Sequence, residues 1–378
     1  MNGLNGLIPV LYDALQVVAR ELVGAIPATS RSMTAEAAAV GQTVRVPITP
    51  PSQNSDVIPG TMPVLKGTEF GYRDLVITKQ RRSEPIAWTG NEQVEVGGQL
   101  NQMIVNQFAQ GMRSLINEVE QDVCLELIMG AIEGGNIYGT PGVTPFATDL
   151  TDLAQVAKIL DDNGSPQTGR QLVINTSAGA ALRSKPNLLS VAHSGDNSML
   201  RRGVFADLVG FATRQSGGFK VVSPGTGAGY IVNSPAAQGD SEIIVDTGSG
   251  TINKGAIITF GSSPEKYVVR ENLPSGGTII KIAGVLRADV ADNAAVNIGA
   301  AYLPSAAFTP DSIYLATRLI ALPEGGDKAA DTYTVTDDIS GLSIQAALYQ
   351  GYLQNFVELR LAWGQKAVNL HNVVALLG

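Results

Sequence analysis

Apolar positions recur at alternating intervals of four and three residues near the start of the chain: Leu4, Ile8, Leu11, Leu15, Val18 and Leu22. That spacing lays them on one face and predicts an amphipathic helix over 4–23. Pro9 sits near its start, where a missing N–H costs little, and Gly24 and Pro27 end it. Such a helix either docks on the chain's own core or serves as an arm that reaches a neighbouring subunit.

The pattern shifts to alternation in 41–90. Thr43–Ile48, Phe70–Thr78 and Glu84–Trp88 read as strands, with Pro50, Pro51, Pro59 and Pro63 between the first two. Prolines and strands without a clear apolar face predict an extended β excursion rather than a compact unit. Lys79, Arg81 and Arg82 read as a solvated turn, or else as partners for acids on an adjacent chain.

The strongest signal covers Gln99–Ile132. Leu100, Ile104, Phe108, Met112, Leu115, Val119, Val123 and Leu127 form an unbroken helical stripe. Gly111 interrupts it at a cost of about 1 kcal/mol, and Gly134 and Gly135 stop it. A helix of this length extends roughly 50 Å and must act as a spine on which other parts lie. Cys124, beside Val123, reads as a small buried residue.

Beyond the spine, a helix is predicted at 149–161, a buried strand at Gln171–Asn175 and a helix at 176–184. Short strands at 243–245, 256–260, 266–270, 278–283 and 295–298, separated by Gly, Pro, Ser and Asn, predict a small β-barrel or sandwich within 221–304. Ser312–Ile320 reads as a strand or short helix, and Val335–Ile339 gives no clear pattern. Ser343–Gln350, Val357–Trp363 and Ala367–Leu376 read as closing strands. The fold class is therefore α+β, with the β module set between two halves of a larger domain.

Composition narrows the function. Of 378 residues, 44% are hydrophobic and only 16% charged, well below the roughly 25% charged of an average soluble domain. Much of the surface is therefore expected to be covered by something other than water. The 26 basic and 34 acidic residues leave a net charge of −8, against a dedicated nucleic-acid binder. One cysteine excludes an internal disulfide, and with only His193 and His371 no zinc or histidine-based metal site is expected. No apolar run approaches the roughly 18 residues of a membrane span, and no charged leader opens the chain. A soluble, intracellular product is expected.

Candidate chemistry is sparse. His193, Ser194 and Asp196 have triad residue types, but adjacent residues do not reach triad geometry. Gly225, Gly227 and Gly229 lack the full spacing of a phosphate loop and read as a flexible hinge into the β module. Asp161/Asp162 and Asp337/Asp338 are paired acids that read as solvated turns rather than cation sites. Asn175-Thr176-Ser177 matches a glycosylation sequon by coincidence. No enzyme and no cofactor is expected.

The order of elements resembles the major capsid proteins of tailed phages with the Hong Kong 97 fold. More narrowly, it is similar to coat proteins of short-tailed phages of the P-twenty-two type, which carry an inserted β-barrel. The segments that carry the resemblance are Leu7–Leu15, the spine, Gly203–Phe211 leading to Lys220–Pro224, Ile252–Phe260 and Leu361–Asn369. The resemblance implies an N-arm (1–40), an E-loop reaching across a neighbour (41–90), and the spine with part of a peripheral domain (91–170). It further implies an axial domain from 171–220 and 305–378, and the insertion at 221–304.

The resemblance also implies assembly through pentamers and hexamers into an icosahedral head shell, formed in the host cytoplasm. The implied partners are further copies of the chain, a scaffolding protein, a portal protein and packaged double-stranded DNA held only by non-specific contact; no membrane is implied. Leu11, Leu15, Leu22, Lys66, Arg73, Lys79, Arg81 and Arg82 are the candidate inter-subunit contacts. Lys66 is a conceivable cross-link donor without an identified partner. Two alternatives remain: an encapsulin-like cellular compartment, and a carbohydrate-binding protein whose module would stack sugars on Tyr230, Phe260 or Tyr267.

Overall fold

The structure is a computed structural model that describes residues 7–18, 24–48, 71–96, 100–189, 207–324, 327–337 and 341–378. Its centre is the predicted spine, a 35-residue helix over Leu100–Gly134. Ile104, Phe108, Met112, Leu115, Val119, Val123 and Leu127 all face the core. The residues next to Leu115, Val123 and Leu127, namely Ile116, Cys124 and Ile128, are also buried and widen this stripe, so the helix is covered on more than one narrow seam.

The helix lies against a seven-stranded sheet built on one 14-residue strand, Gln354–Ala367. Arg360 pairs with both Arg82 and Gln345, and Ala362 with both Gln80 and Arg318. Ile313–Ile320 and Ser343–Gly351 therefore share one edge of the long strand, end to end, while Lys79–Arg82 and Ile86–Thr89 occupy the other. The outer positions are taken by Ser30–Ala38, parallel to Ile313–Ile320, and by Asp331–Thr336. Val357, Leu359, Leu361 and Trp363 alternate along the long strand and join the helix stripe in one core.

The N-terminal helix spans Ile8–Val18 and belongs to this core, with Val10, Leu11, Ala14 and Leu15 buried in it. The self-docked reading of this segment is the one observed. Thr43–Ile48 and Gly71–Val76 form a separate two-stranded ribbon. Lys79–Arg82 is a strand, not a turn: it pairs with Arg360–Trp363 because the long strand offers an otherwise open edge there.

A five-stranded sheet runs in the order Ile137–Tyr138, Val373–Leu376, Ser305–Phe308, Gln171–Ile174 and Ala212–Gln215. Helices Thr151–Asp162 and Thr176–Arg183 pack on it through Leu153, Val156, Leu160 and Leu182. Asn175 caps the second helix, accepting from the Ala178 N–H at 2.7 Å and donating to the Leu303 carbonyl. Asn175 is 1% exposed, which closes its amide to modification in the folded chain.

Residues 221–304 close on themselves, with Val222 and Tyr302 exchanging backbone hydrogen bonds at the neck. Two three-stranded sheets enclose a separate cluster that includes Tyr230, Val245, Ile258, Phe260 and Tyr267. Those three aromatic rings are thus core, not a sugar platform. The 225–229 loop is not a hinge: Gly227 and Ala228 donate to Thr251 and Ser249 carbonyls. A Cβ at Gly227 would stand 2.8 Å from Ile252 Cγ1, so glycine serves close packing there.

Candidate functional site

Carboxylates on the spine helix hold the roots of several surrounding segments. Glu118, Asp122 and Glu126 follow at intervals of four, which puts them on one face. Lys79 Nζ donates to Glu118 at 3.0 Å and Asp122 at 2.9 Å, and Arg81 reaches Glu118 at 3.2 Å. Trp363 Nε1 donates to the other oxygen of Asp122 at 2.9 Å. Burial opposes the charge on Lys79, but hydrogen bonds and attraction from Asp122 and Glu118 raise its pKa.

Further along, Glu126 accepts from the Ala367 N–H, and Glu133 pairs with Lys254 of the β module at 3.4 Å. One helix thereby ties down the strand after the ribbon, the end of the long strand and the β module. Half-exposed ion pairs of this kind stabilise little individually; their shared scaffold fixes geometry.

Glu120 faces another way and is 2% exposed. Its Oε1 accepts the N–H groups of Gly24 (2.8 Å) and Ala25 (2.7 Å), and Oε2 that of Ile26 (2.9 Å). Ser216 Oγ donates to Oε1 at 2.6 Å. The carboxylate acts as a cap for the short helical turn Ile26–Ala28, at the root of the N-terminal segment. Beside it, burial pushes the Cys124 thiol well up, and the Glu120 charge adds to this against a weak Ser216 hydrogen bond. Cys124 is an inert core residue.

A second polar network crosses the sheet. Arg360, 5% exposed, donates to Gln345 (3.0 Å), Asp327 (2.7 Å) and Tyr349 (3.1 Å), while Glu358 pairs with Arg82 at 3.0 Å. Desolvation works against the Asp327 charge. Hydrogen bonds from Tyr349, Arg360 and the Ala329 N–H, with the Arg360 charge, outweigh it and hold the carboxyl down at about 2. The sign follows: this contribution is complete above the unfolded aspartate pKa of about 3.9 and is lost as pH falls through about 2. Asp327→Asn is expected to flatten the acid limb of the stability curve between about pH 4 and 2, measured by urea unfolding. An unchanged limb would remove Asp327 from the acid response.

The sequence-selected residues thus separate. Leu11 and Leu15 face the chain's own core, and Arg73 is exposed on the ribbon. Lys79, Arg81 and Arg82 form a clasp with acids of the same chain, although Arg81 and Arg82 stay 57% and 63% exposed. Leu22, Lys66 and His193 lie outside the described residues, as do the prolines between the ribbon strands.

The paired acids are not solvated turns throughout. Asp161 and Asp162 end a helix and pair with Arg170 and Lys158, and Asp337 is buried; Asp338 lies outside the described residues. Glu120 and Arg360 were not selected. Glu120 carried a signal, being an acid between Ile116 and Cys124 on the apolar face.

Apolar side chains also project outward. Tyr352 and Leu353 form the tip between the two closing strands, 90% and 75% exposed. Leu353 holds φ at 55°, a left-handed conformation that costs a non-glycine residue roughly 1–2 kcal/mol.

The overall fold of this chain is similar to that of solved phage capsid chains. In the capsid structure of the cyanophage P-SCSP1u, a chain 14% identical superposes with a TM-score of 0.51, covering 93% of this chain and 86% of that one. At that identity the likeness is one of fold. A chain from Mycobacterium phage Che8 is 14% identical at a TM-score of 0.46, covering 96% of this chain and 90% of that one. A virus-like particle from Pyrococcus furiosus is 11% identical at 0.43, covering 98% and 97%. No protein-family model matches the sequence, and no curated protein matches it.

Proposed function

We propose that this chain is the major capsid protein of a tailed phage, of the Hong Kong 97 type. Copies of it join through pentamers and hexamers into an icosahedral head shell around double-stranded DNA. The observation that carries the reading is the fold shared with the cyanophage capsid chain over nearly the whole length of both.

The physics of the surface supports it. A shell subunit must cover broad areas against several neighbours, and arms and loops supply that area without enlarging the core. Here the ribbon, the Tyr352–Leu353 tip and the exposed Arg73, Arg81 and Arg82 are the contact candidates; Leu11 and Leu15 contribute by holding the first helix in place. Residues 221–304 act as an inserted domain, and 41–90 as the E-loop. A scaffolding protein guides closure, a portal occupies one vertex, and the net negative charge keeps the lumen from gripping DNA.

Expression followed by electron microscopy tests this. Closed shells of uniform diameter are expected, with or without a scaffolding protein supplied in the same cell. A chain that stays monomeric in both cases, at every concentration reached, would refute it.

A further inference from the structure

The spine helix carries a second row of side chains beside its acids. Gln121, Leu125 and Met129 follow at intervals of four and share one face. Leu125 is 53% exposed, although its neighbours Cys124 and Ile128 are buried. Opposite this row runs 218–223, which leads to the neck of the β module. Helix and segment together enclose a cleft of about 350 Å³.

Local sequence explains why the cleft stays open. A Cβ at Gly218 would stand 2.9 Å from Glu120 Cγ and 3.1 Å from Cys124 Sγ, so glycine lets the chain touch the helix there. Four residues later, Val222 is anchored on Tyr302 at the neck. Between these anchors Phe219 is buried, while Val221 is 64% exposed and lines the cleft. The Lys254–Glu133 pair lies at the far end. From residue 124 to 133 the helix rises roughly 14 Å, the length of about two and a half helical turns.

The lining is apolar and its charge is basic. Lys220 is exposed and makes no ion pair among the described residues. Lys254 gives one of its three donors to Glu133, and its side chain stays 34% exposed. Asp122 is the one acid among the described lining residues, and it is already committed to Lys79 and Trp363. A concave apolar surface with two available ammonium groups and no available carboxylate calls for an acidic, amphipathic partner.

We propose that this cleft docks an acidic amphipathic helix of another protein. Its apolar stripe lies on Leu125, Met129 and Val221, and its carboxylates meet Lys220 and Lys254. Helix-in-groove recognition uses anchors at i, i+3, i+4 and i+7, a stripe that the length of the cleft accommodates. The unbranched thioether of Met129 adapts its shape to such anchors. The surface is defined without the shell reading and goes beyond it.

Two fluorescein-labelled helical peptides test the proposal by anisotropy against the full chain. Both carry leucine at i, i+3, i+4 and i+7, one with glutamate and the other with lysine at the remaining positions. The glutamate peptide is expected to bind roughly tenfold or more tighter than the lysine peptide, and added salt should narrow the gap. Lys220→Glu should erase that preference. Leu125→Ser should weaken the glutamate peptide roughly tenfold or more. Both positions are exposed, so the urea midpoint should stay that of the parent.

Equal binding of the two peptides, or a glutamate peptide indifferent to both substitutions, would overturn the proposal. Shell formation that fails in both variants with no peptide present would assign the cleft to a contact between copies and overturn it as well. Shells and peptide binding are read separately, so the failure of either leaves the other standing.

Discussion

Deleting residues 1–22 is expected to cost the fold itself and not only assembly. The sequence leaves two roles open for this segment, and an arm would be dispensable for folding. The observed helix instead buries Val10, Leu11, Ala14 and Leu15 in the same core as Phe108 and Met112. Each buried leucine contributes about 2–5 kcal/mol by the cost of its truncation to alanine. Two of them therefore approach the roughly 5–15 kcal/mol by which a whole domain is stable.

The truncated chain should accumulate in the insoluble fraction or unfold at much lower urea. Leu11→Ala should lower stability by about 3 kcal/mol, read as a shifted midpoint at unchanged slope. Truncated protein that unfolds at the parent midpoint would return this helix to the role of a free arm.

Long-period patterns were legible in the sequence, and pairings were not. The spine emerges within two residues at each end because its stripe repeats for about eight turns without a competing signal. The β module shows itself through its punctuation, since short strands need turn residues at every reversal. The assignment of Lys79–Arg82 failed for a physical reason: a strand with three cations has no apolar alternation to announce it. Its stability comes from the edge of Arg360–Trp363 and from carboxylates about 40 residues away.

The same limit hides the tertiary role of Gly364. A Cβ there would stand 3.0 Å from the Ile77 backbone, a closeness that only the pairing of distant segments creates. Residues read as spare polar groups were likewise committed. Asn175 caps a helix, and Asp161 holds Arg170. A polar residue's partner is set by the fold, so type and spacing identify the need for a partner without supplying it.

Glu120→Ala is expected to be among the most damaging single substitutions in the chain. It leaves the N–H groups of Gly24, Ala25 and Ile26, and the Ser216 hydroxyl, without their acceptor in a site closed to water. An unsatisfied buried donor costs about 1–3 kcal/mol, and partial relaxation should leave a total of about 3–5 kcal/mol. Glu120→Gln separates charge from shape. The amide keeps one acceptor, yet its NH2 then faces another N–H donor, so an intermediate loss is expected.

The lone cysteine gives a local readout of the same event. Cys124 is one turn further along the helix and 1% exposed, and its thiol lies against Ser216 and Gly218, so labelling requires that segment to open. Because Glu120 holds Ser216, Glu120→Gln should accelerate labelling in urea concentrations well below the global midpoint, where the parent remains protected. Labelling that rises only in step with global unfolding would show that Glu120 stabilises the whole domain and not the segment over Cys124 in particular.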